Sequence, residues 1–327
     1  MATVSGTELD PAAEAWLRRV LPSEGGRAGG RGIIAAEPLG GGYRNENIRL
    51  VTDGGSYVLR RYLRGDAART CAIEAALAPR LAAAGVPAAE VIAADPEGSA
   101  AGLPLLLARH VPGVMVSEAV ARDPAAAAGI GAAAGRALAA IGAVTFPGGG
   151  AFTGPDLVPS PEALPASLPE FLESCLRAGN AAGALSPAET GRLRTLAAAA
   201  DPLARSVGGA RQLVHSDYNG KNLLAVGGDG RWSISAVLDW EFAFSGSPLT
   251  DIGNMLRFRA CQPPGFADGL IAGYRDAGGQ LPERWREISE ALDLYALADF
   301  LTRPPDHRYF GKAVAALKDR LVRDAPS

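Results

Sequence analysis

Residues 212–256 read QLVHSDYNGKNLLAVGGDGRWSISAVLDWEFAFSGSPLTDIGNML, and the fold turns on this stretch. Leu223–Val226 and Trp232–Leu238 are strand-like runs. Gly227-Gly228-Asp229-Gly230 lies between them and has strong hairpin chemistry, because glycine and aspartate tolerate the backbone angles that tight turns need. Asn222 stands just before the first run and Asp239 just after the second, so an antiparallel hairpin brings both out side by side at its open end. Asp217, on the approaching loop, can face the same spot. Two carboxylates and an amide oxygen then converge without a histidine or a thiolate. Hard oxygen donors of this kind suit Mg²⁺ rather than zinc, and magnesium with few protein ligands usually completes its shell with phosphates.

Toward the N-terminus, Asp10-Pro11 followed by Ala12–Leu21 predicts an N-capped helix, and Gly25–Gly32 a flexible link. Ile33–Ala36, Tyr43–Val51 and Ser56–Tyr62 are short apolar or alternating runs with glycine turns between them, which predicts three strands. A helix over Thr70–Ala84 and strands over Glu90–Ala94 and Leu103–His110 follow. After Val111-Pro112-Gly113 helical patterns dominate. Ile130, Ala134, Leu138 and Ile141 share one face of a buried helix, further helices are expected around Glu170–Ala178 and Pro187–Ala200, and several more follow Gly265. The expected fold class is therefore α+β, with two lobes and a cleft between them: residues 1–110 as a small antiparallel sheet with one main helix, and 111–327 as a mostly helical lobe.

Composition bounds the function. The 327 residues are 48% hydrophobic and 20% charged, enough to bury a sizeable core, and the formal charge of -3 argues against a nucleic-acid partner. Cys71, Cys175 and Cys261 lie far apart in no metal-like spacing, which predicts a reducing, cytoplasmic setting. His110, His215 and His307 are too few for a histidine-rich metal site. The first twenty residues lack the apolar core of a signal peptide, and no stretch of about 18 uncharged apolar residues predicts a membrane span.

H-S-D-x-x-x-x-N, a short hairpin and D-W-E together resemble the active-site region of the aminoglycoside phosphotransferase and choline kinase families, relatives of the protein kinases. The resemblance implies a two-lobed, protein-kinase-like fold and an ATP- or GTP-dependent, Mg²⁺-dependent phosphotransferase. Asp217 matches the catalytic aspartate that orients and deprotonates an acceptor hydroxyl, and Asn222 and Asp239 match the metal ligands. Asp251, in S-P-L-T-D-I-G-N, matches a buried aspartate that braces the catalytic loop, and His215 a structural histidine. Ser216 stands where these families commonly have glycine, and Ser247 where they often have aspartate. Gly40, Gly41 and Gly42 occupy the place of the glycine-rich hairpin over the nucleotide phosphates. Arg60 occupies that of the basic residue on the α- and β-phosphates, with the register against Arg61 open. Glu74 is the candidate ion-pair partner of that arginine. Arg109, His110 and Val111 fall at the connection that receives the adenine edge.

Plainer readings stand beside these. Ser216 and His215 are adjacent on an extended segment and point apart, so they cannot pair as nucleophile and base. Glu241 is either a further metal ligand or a solvated carboxylate, and Trp240 reads as packing. The acceptor implied is a hydroxylated small molecule, an antibiotic of aminoglycoside or nucleoside type. The alternatives are a metabolite kinase of choline, homoserine or sugar type and a nucleotide-binding pseudokinase. Residues 151–214 hold six acids and five bases, and residues 258–327 ten of each. A polycationic acceptor calls for an acidic excess that neither segment has. The sequence leaves the oligomeric state open.

Overall fold

Alternating apolar residues build the first sheet of the computed structural model, which describes residues 9–21, 32–40, 45–228 and 231–323. Helix α1 (Pro11–Val20) begins where the Asp10 carboxylate accepts from the Ala12 amide at 2.7 Å. Strands β1 (Ile33–Leu39), β2 (Asn45–Thr52) and β3 (Gly55–Tyr62) run antiparallel, followed by α2 (Ala67–Ala83), β4 (Val91–Asp95) and β5 (Leu105–Arg109). The sheet order is β1-β2-β3-β5-β4. On one face Ile48, Leu50, Leu59, Leu105 and Leu107 bury fully beneath Trp16 and Leu17 of α1. Tyr62, Leu106 and Ala108 pack with Cys71 of α2 on the other. Period-two alternation also separates the two adjacent arginines: Arg60 shares the α2 face with Tyr62, whereas Arg61 turns away to Glu46, 2.7 Å distant.

The chain then crosses through β6 (Val114–Met115) into α3 (Val116–Arg122) and α4 (Ala127–Gly142). Strands β7 (Gly150–Phe152) and β8 (Pro159–Ser160), helices α5 (Leu168–Arg177) and α6 (Pro187–Arg205), and strand β9 (Gln212–Val214) follow. The hairpin β10 (Leu223–Gly228) and β11 (Arg231–Val237) forms as expected, with Leu223 opposite Val237; Asp229 and Gly230 of its turn lie outside the described residues. Strand β6 adds to β10, making a three-stranded sheet. Strand β12 (Phe244–Gly246) joins β7, β8 and β9, and the chain ends in α7 (Leu249–Leu256), α8 (Phe266–Asp276), α9 (Trp285–Phe300) and α10 (Phe310–Arg323).

Helix α4 is the central support of this second half. Ile130, Ala134, Leu138 and Ile141 are fully buried, as their spacing predicts. The segment Pro124–Gly142 is long and apolar enough to cross a membrane by length and composition, although Arg136 interrupts it, and more than half of it is buried inside the fold. Its close partner is α8. A Cβ on Gly131 or Gly135 would meet the carbonyl oxygens of Phe266 or Leu270 at 2.3 and 2.1 Å, and one on Gly269 or Gly273 would meet those of Ala128 or Ala132 at 2.1 Å. Only glycine allows two helix backbones this close.

Candidate active site

The loop after β9 is fixed by backbone bonds before any side chain reaches the cleft. Both oxygens of the fully buried Asp251, in the first turn of α7, accept backbone amides: His215 at 2.8 Å and Ser216 at 2.8 Å. Asn254, one turn further along α7, donates to the Ser216 carbonyl at 2.8 Å. Ser216 itself has a φ of 70°, in the left-handed region that glycine enters freely, which gives glycine at this position a physical reason. Burial pushes the Asp251 carboxyl up to about 7, against the pull of the two amides. The Tyr218 hydroxyl, also buried, donates to the Ala134 carbonyl at 2.7 Å and pins the loop to α4.

His215 is fully buried, and burial holds its pKa below the ordinary histidine value despite Asp217 nearby. Its Nδ1 accepts the Asp217 amide at 3.2 Å while Nε2 lies 2.9 Å from the Leu238 carbonyl. A neutral ring donating from Nε2 satisfies both contacts. The ring packs against Trp240, 4.7 Å between centroids, so this histidine ties the loop to the end of β11.

Asp217 is held by two amides. Asn219 Nδ2 donates to Oδ1 at 2.8 Å, and Asn222 Nδ2 donates to Oδ2 at 2.8 Å; each also reaches the Asp217 carbonyl, at 3.0 and 2.9 Å. An ionised carboxylate has about four lone-pair sites, so this clamp fixes its plane and leaves about two of those sites open. Asn219 was not among the residues the sequence singled out. The available signal was an asparagine in a loop, two residues before the Lys221 amide that its Oδ1 accepts at 3.0 Å.

Asp239 sits at the hairpin's open end, where Leu238 donates to the Asn222 carbonyl at 2.8 Å. With a φ of 69° it turns toward the first sheet, and Oδ1 receives Arg60 at 3.0 Å. Arg60 also donates to both oxygens of Glu74 at 2.9 and 2.8 Å, and to Asn47 at 3.1 Å. Burial opposes the Arg60 charge, but Glu74 and Asp239 outweigh it and the pKa rises. Glu74 is pushed upward by its own desolvation, with Arg60 pulling it back.

The remaining predicted positions fall as follows. Gly40 forms the turn after β1, whereas Gly41 and Gly42 lie outside the described residues. The Arg109 amide is engaged by the Glu90 carbonyl at 2.8 Å and the His110 amide by that of Ser56 at 3.0 Å. The Val111 amide has no such bond to a described residue. The Arg109 side chain turns to Glu90, 2.7 Å away, and burial with Arg49 lowers the His110 pKa. Glu241 accepts from Asn45 across the lobes at 3.3 Å. The donors suited to a magnesium ion are the Asp239 carboxylate, about a third exposed, and the Asn222 amide oxygen, whose NH₂ is spent on Asp217. Among the described residues no cluster of three or more His, Cys, Asp or Glu could hold a metal, so a cation here would need phosphate or water oxygens to complete its shell.

A model described as the phosphotransferase enzyme family matches residues 35–288. Among solved structures the chain is similar to aminoglycoside phosphotransferase APH(4)-Ia, at 18% identity and a TM-score of 0.66, covering 96% of this chain and 99% of that one. It is also similar to APH(2")-IIia in its GDP and kanamycin complex, at 17% identity, TM-score 0.64, 90% and 95% covered. Macrolide 2'-phosphotransferase MphH from Brachybacterium faecium matches at 19% identity, TM-score 0.51, 89% and 93% covered. No curated protein matches the sequence significantly. The shared fold is the two-lobed, kinase-like one expected from the loop and hairpin.

Proposed function

Because the chain belongs to the phosphotransferase enzyme family, we propose that it is a cytoplasmic, ATP- or GTP-dependent kinase that phosphorylates a hydroxyl of a small molecule, an antibiotic, and so confers resistance. The observation that carries this reading is the Arg60 bridge. It links Glu74 behind the first sheet to Asp239 at the end of the hairpin, and so holds positive charge where nucleotide phosphates would lie between the lobes. Residues 1–110 act as the nucleotide lobe, with the turn that opens at Gly40 near the phosphates and Arg109–Val111 along the base. Residues 111–327 carry the catalytic loop and receive the acceptor. Asp239 and Asn222 would hold Mg²⁺, which supplies charge neutralisation for the transferring phosphoryl group.

Asp217 receives the acceptor hydroxyl. Held by Asn219 and Asn222, its carboxylate points a fixed lone pair at the proton and aligns the oxygen for in-line attack. Asp251 and His215 keep the loop still and take no proton from the acceptor. Asp217→Ala should lower transfer, followed as ADP release, by about 10²–10⁴-fold with the nucleotide Kd within twofold of the parent. Unchanged turnover would overturn the assignment. A metabolite kinase is the second reading, favoured by the ten acids and ten bases of residues 258–327, which give no acidic excess for a polycation. ADP release across antibiotics and metabolites separates the two by kcat/KM.

A further inference from the structure

The catalytic loop extends one cation toward the helical lobe. Lys221, the residue before Asn222, is exposed, and its ammonium lies 3.0 Å from the Tyr309 hydroxyl and 5.1 Å from the centre of that ring. Its backbone is tied into the reaction centre, since the Asn219 side chain that grips Asp217 also accepts the Lys221 amide. Tyr309, on the loop between α9 and α10, packs beside two rings that precede it in sequence: Phe300 at 5.4 Å and His307 at 5.9 Å. The Arg308 guanidinium stands 4.7 Å from the Tyr309 ring centre. Among the described residues no carboxylate lies within 4.0 Å of the Lys221 ammonium, so its charge has no internal counterion there.

Resting on the phosphotransferase reading, we propose that Lys221 and Tyr309 form the acceptor-side rim and select a hydroxylated acceptor that meets them with oxygen acceptors, hydroxyl, carbonyl or carboxylate, rather than ammonium groups. Hydrogen-bond accounting sets the polarity. Lysine has three N–H donors and uses one on Tyr309, while the tyrosine oxygen accepts that bond and keeps its own O–H to give. The rim therefore presents donors outward. A polycation seated with its hydroxyl on Asp217 would bring ammonium groups against Lys221, and an uncharged or acidic polyol would bring the lone pairs the donors lack. The hydrogen bond to the Tyr309 hydroxyl holds the ammonium and the Asn219 oxygen holds the Lys221 amide, so the selection acts at a fixed point on the loop that carries Asp217.

The test compares the full-length parent with Lys221→Glu and Lys221→Arg. One arm measures kcat/KM by ADP release, the other Kd by calorimetry, each with kanamycin, hygromycin B and a panel of uncharged and acidic polyols. The parent should favour the polyols. Lys221→Glu should move the aminoglycoside-to-polyol ratio toward the aminoglycosides by roughly tenfold in both arms, through reversal of one charge near the ligand. Lys221→Arg should keep the parental ratio, and the nucleotide KM should stay within twofold throughout. A parent that prefers aminoglycosides, a ratio unmoved by Lys221→Glu, or no binding of any probe by any of the three overturns the selection. Failure of the parent reading looks different: no ADP is released with any acceptor, or Asp217→Ala releases as much as the parent, while the binding arm still decides for or against the rim.

Discussion

At Asp217 two neutral amides hold one carboxylate, and the two differ in what else they do. Asn222 spends only its NH₂ there, whereas Asn219 also spends its oxygen on the Lys221 amide and so shapes the turn as well. Asn219→Asp separates these jobs. The new carboxylate keeps the acceptor for Lys221 and replaces the donor to Asp217 with a like charge. If Asn219 orients the base, kcat should fall about 10²-fold with the nucleotide KM nearly unchanged, since misplacing a reacting group costs that much without touching binding. A variant with parental kcat would reduce Asn219 to a turn former. The residues legible from the sequence at this scale are those with diagnostic spacing: Asp217, Asn222, Asp239 and Asp251 all lie in or beside the cleft loop. Arg60 and Arg61 could not be ranked by sequence, because both are basic neighbours on one strand. The α2 face decides between them, through Glu74 on that helix. Asn219 was missed because asparagine in a loop is common and its partner is a side chain, not a pattern.

Helices α4 and α8 show a limit of a different kind at the scale of elements. The strands of the first sheet, the hairpin and most helices follow from periodicity and turn residues, with boundaries displaced by a few positions; the short strands β6, β7, β8, β9 and β12 and helices α3 and α7 do not. Gly131 and Gly135 lie within the alanine- and glycine-rich run of α4 and carry no pattern that names a partner. In the fold Gly131 and Gly135 face Gly269 and Gly273 four residues apart on each helix, a contact that becomes visible only when the two segments are brought together. The consequence reaches the candidate site, because the Ala134 carbonyl beside Gly135 accepts the Tyr218 hydroxyl of the loop that carries Asp217. Gly135→Ala should therefore destabilise by about 3 kcal/mol, since its methyl would overlap the Leu270 carbonyl oxygen and one helix must move. Gly191→Ala in α6, where a Cβ meets nothing within 4 Å, should instead be neutral or stabilise by up to ~1 kcal/mol through helix propensity. Urea melts of the two variants test the pair. Equal effects would mean that α4 and α8 can separate at no cost.

Across the whole molecule, the lobes are joined by contacts whose partners lie far apart in sequence: Arg60 with Asp239, Asn45 with Glu241, and the Val237 amide on the Pro87 carbonyl at 2.7 Å. Asp251 is the buried anchor beneath this junction, and its titration makes global stability depend on pH. An aspartate ordinarily titrates at 3.8, while burial carries the folded Asp251 up to about 7. Below 3.8 both folded and unfolded chains hold the proton. Between those values only the folded chain holds it, so the contribution to stability is full at the acid end and is lost as pH rises through the folded pKa. A shift of this size corresponds to a few kcal/mol, on the order of 4. Asp251→Asn has no charge to bury and removes the slope, while its single carbonyl oxygen can serve only one of the two amides, which adds a pH-independent cost of about 1–3 kcal/mol. The stability of the parent minus that of the variant, from urea melts between pH 4.5 and 8, should therefore shrink steadily until about pH 7 and then level off. A difference that stays flat over the same range would mean that the folded carboxyl, like the unfolded one, is ionised throughout, with its two amides prevailing over burial.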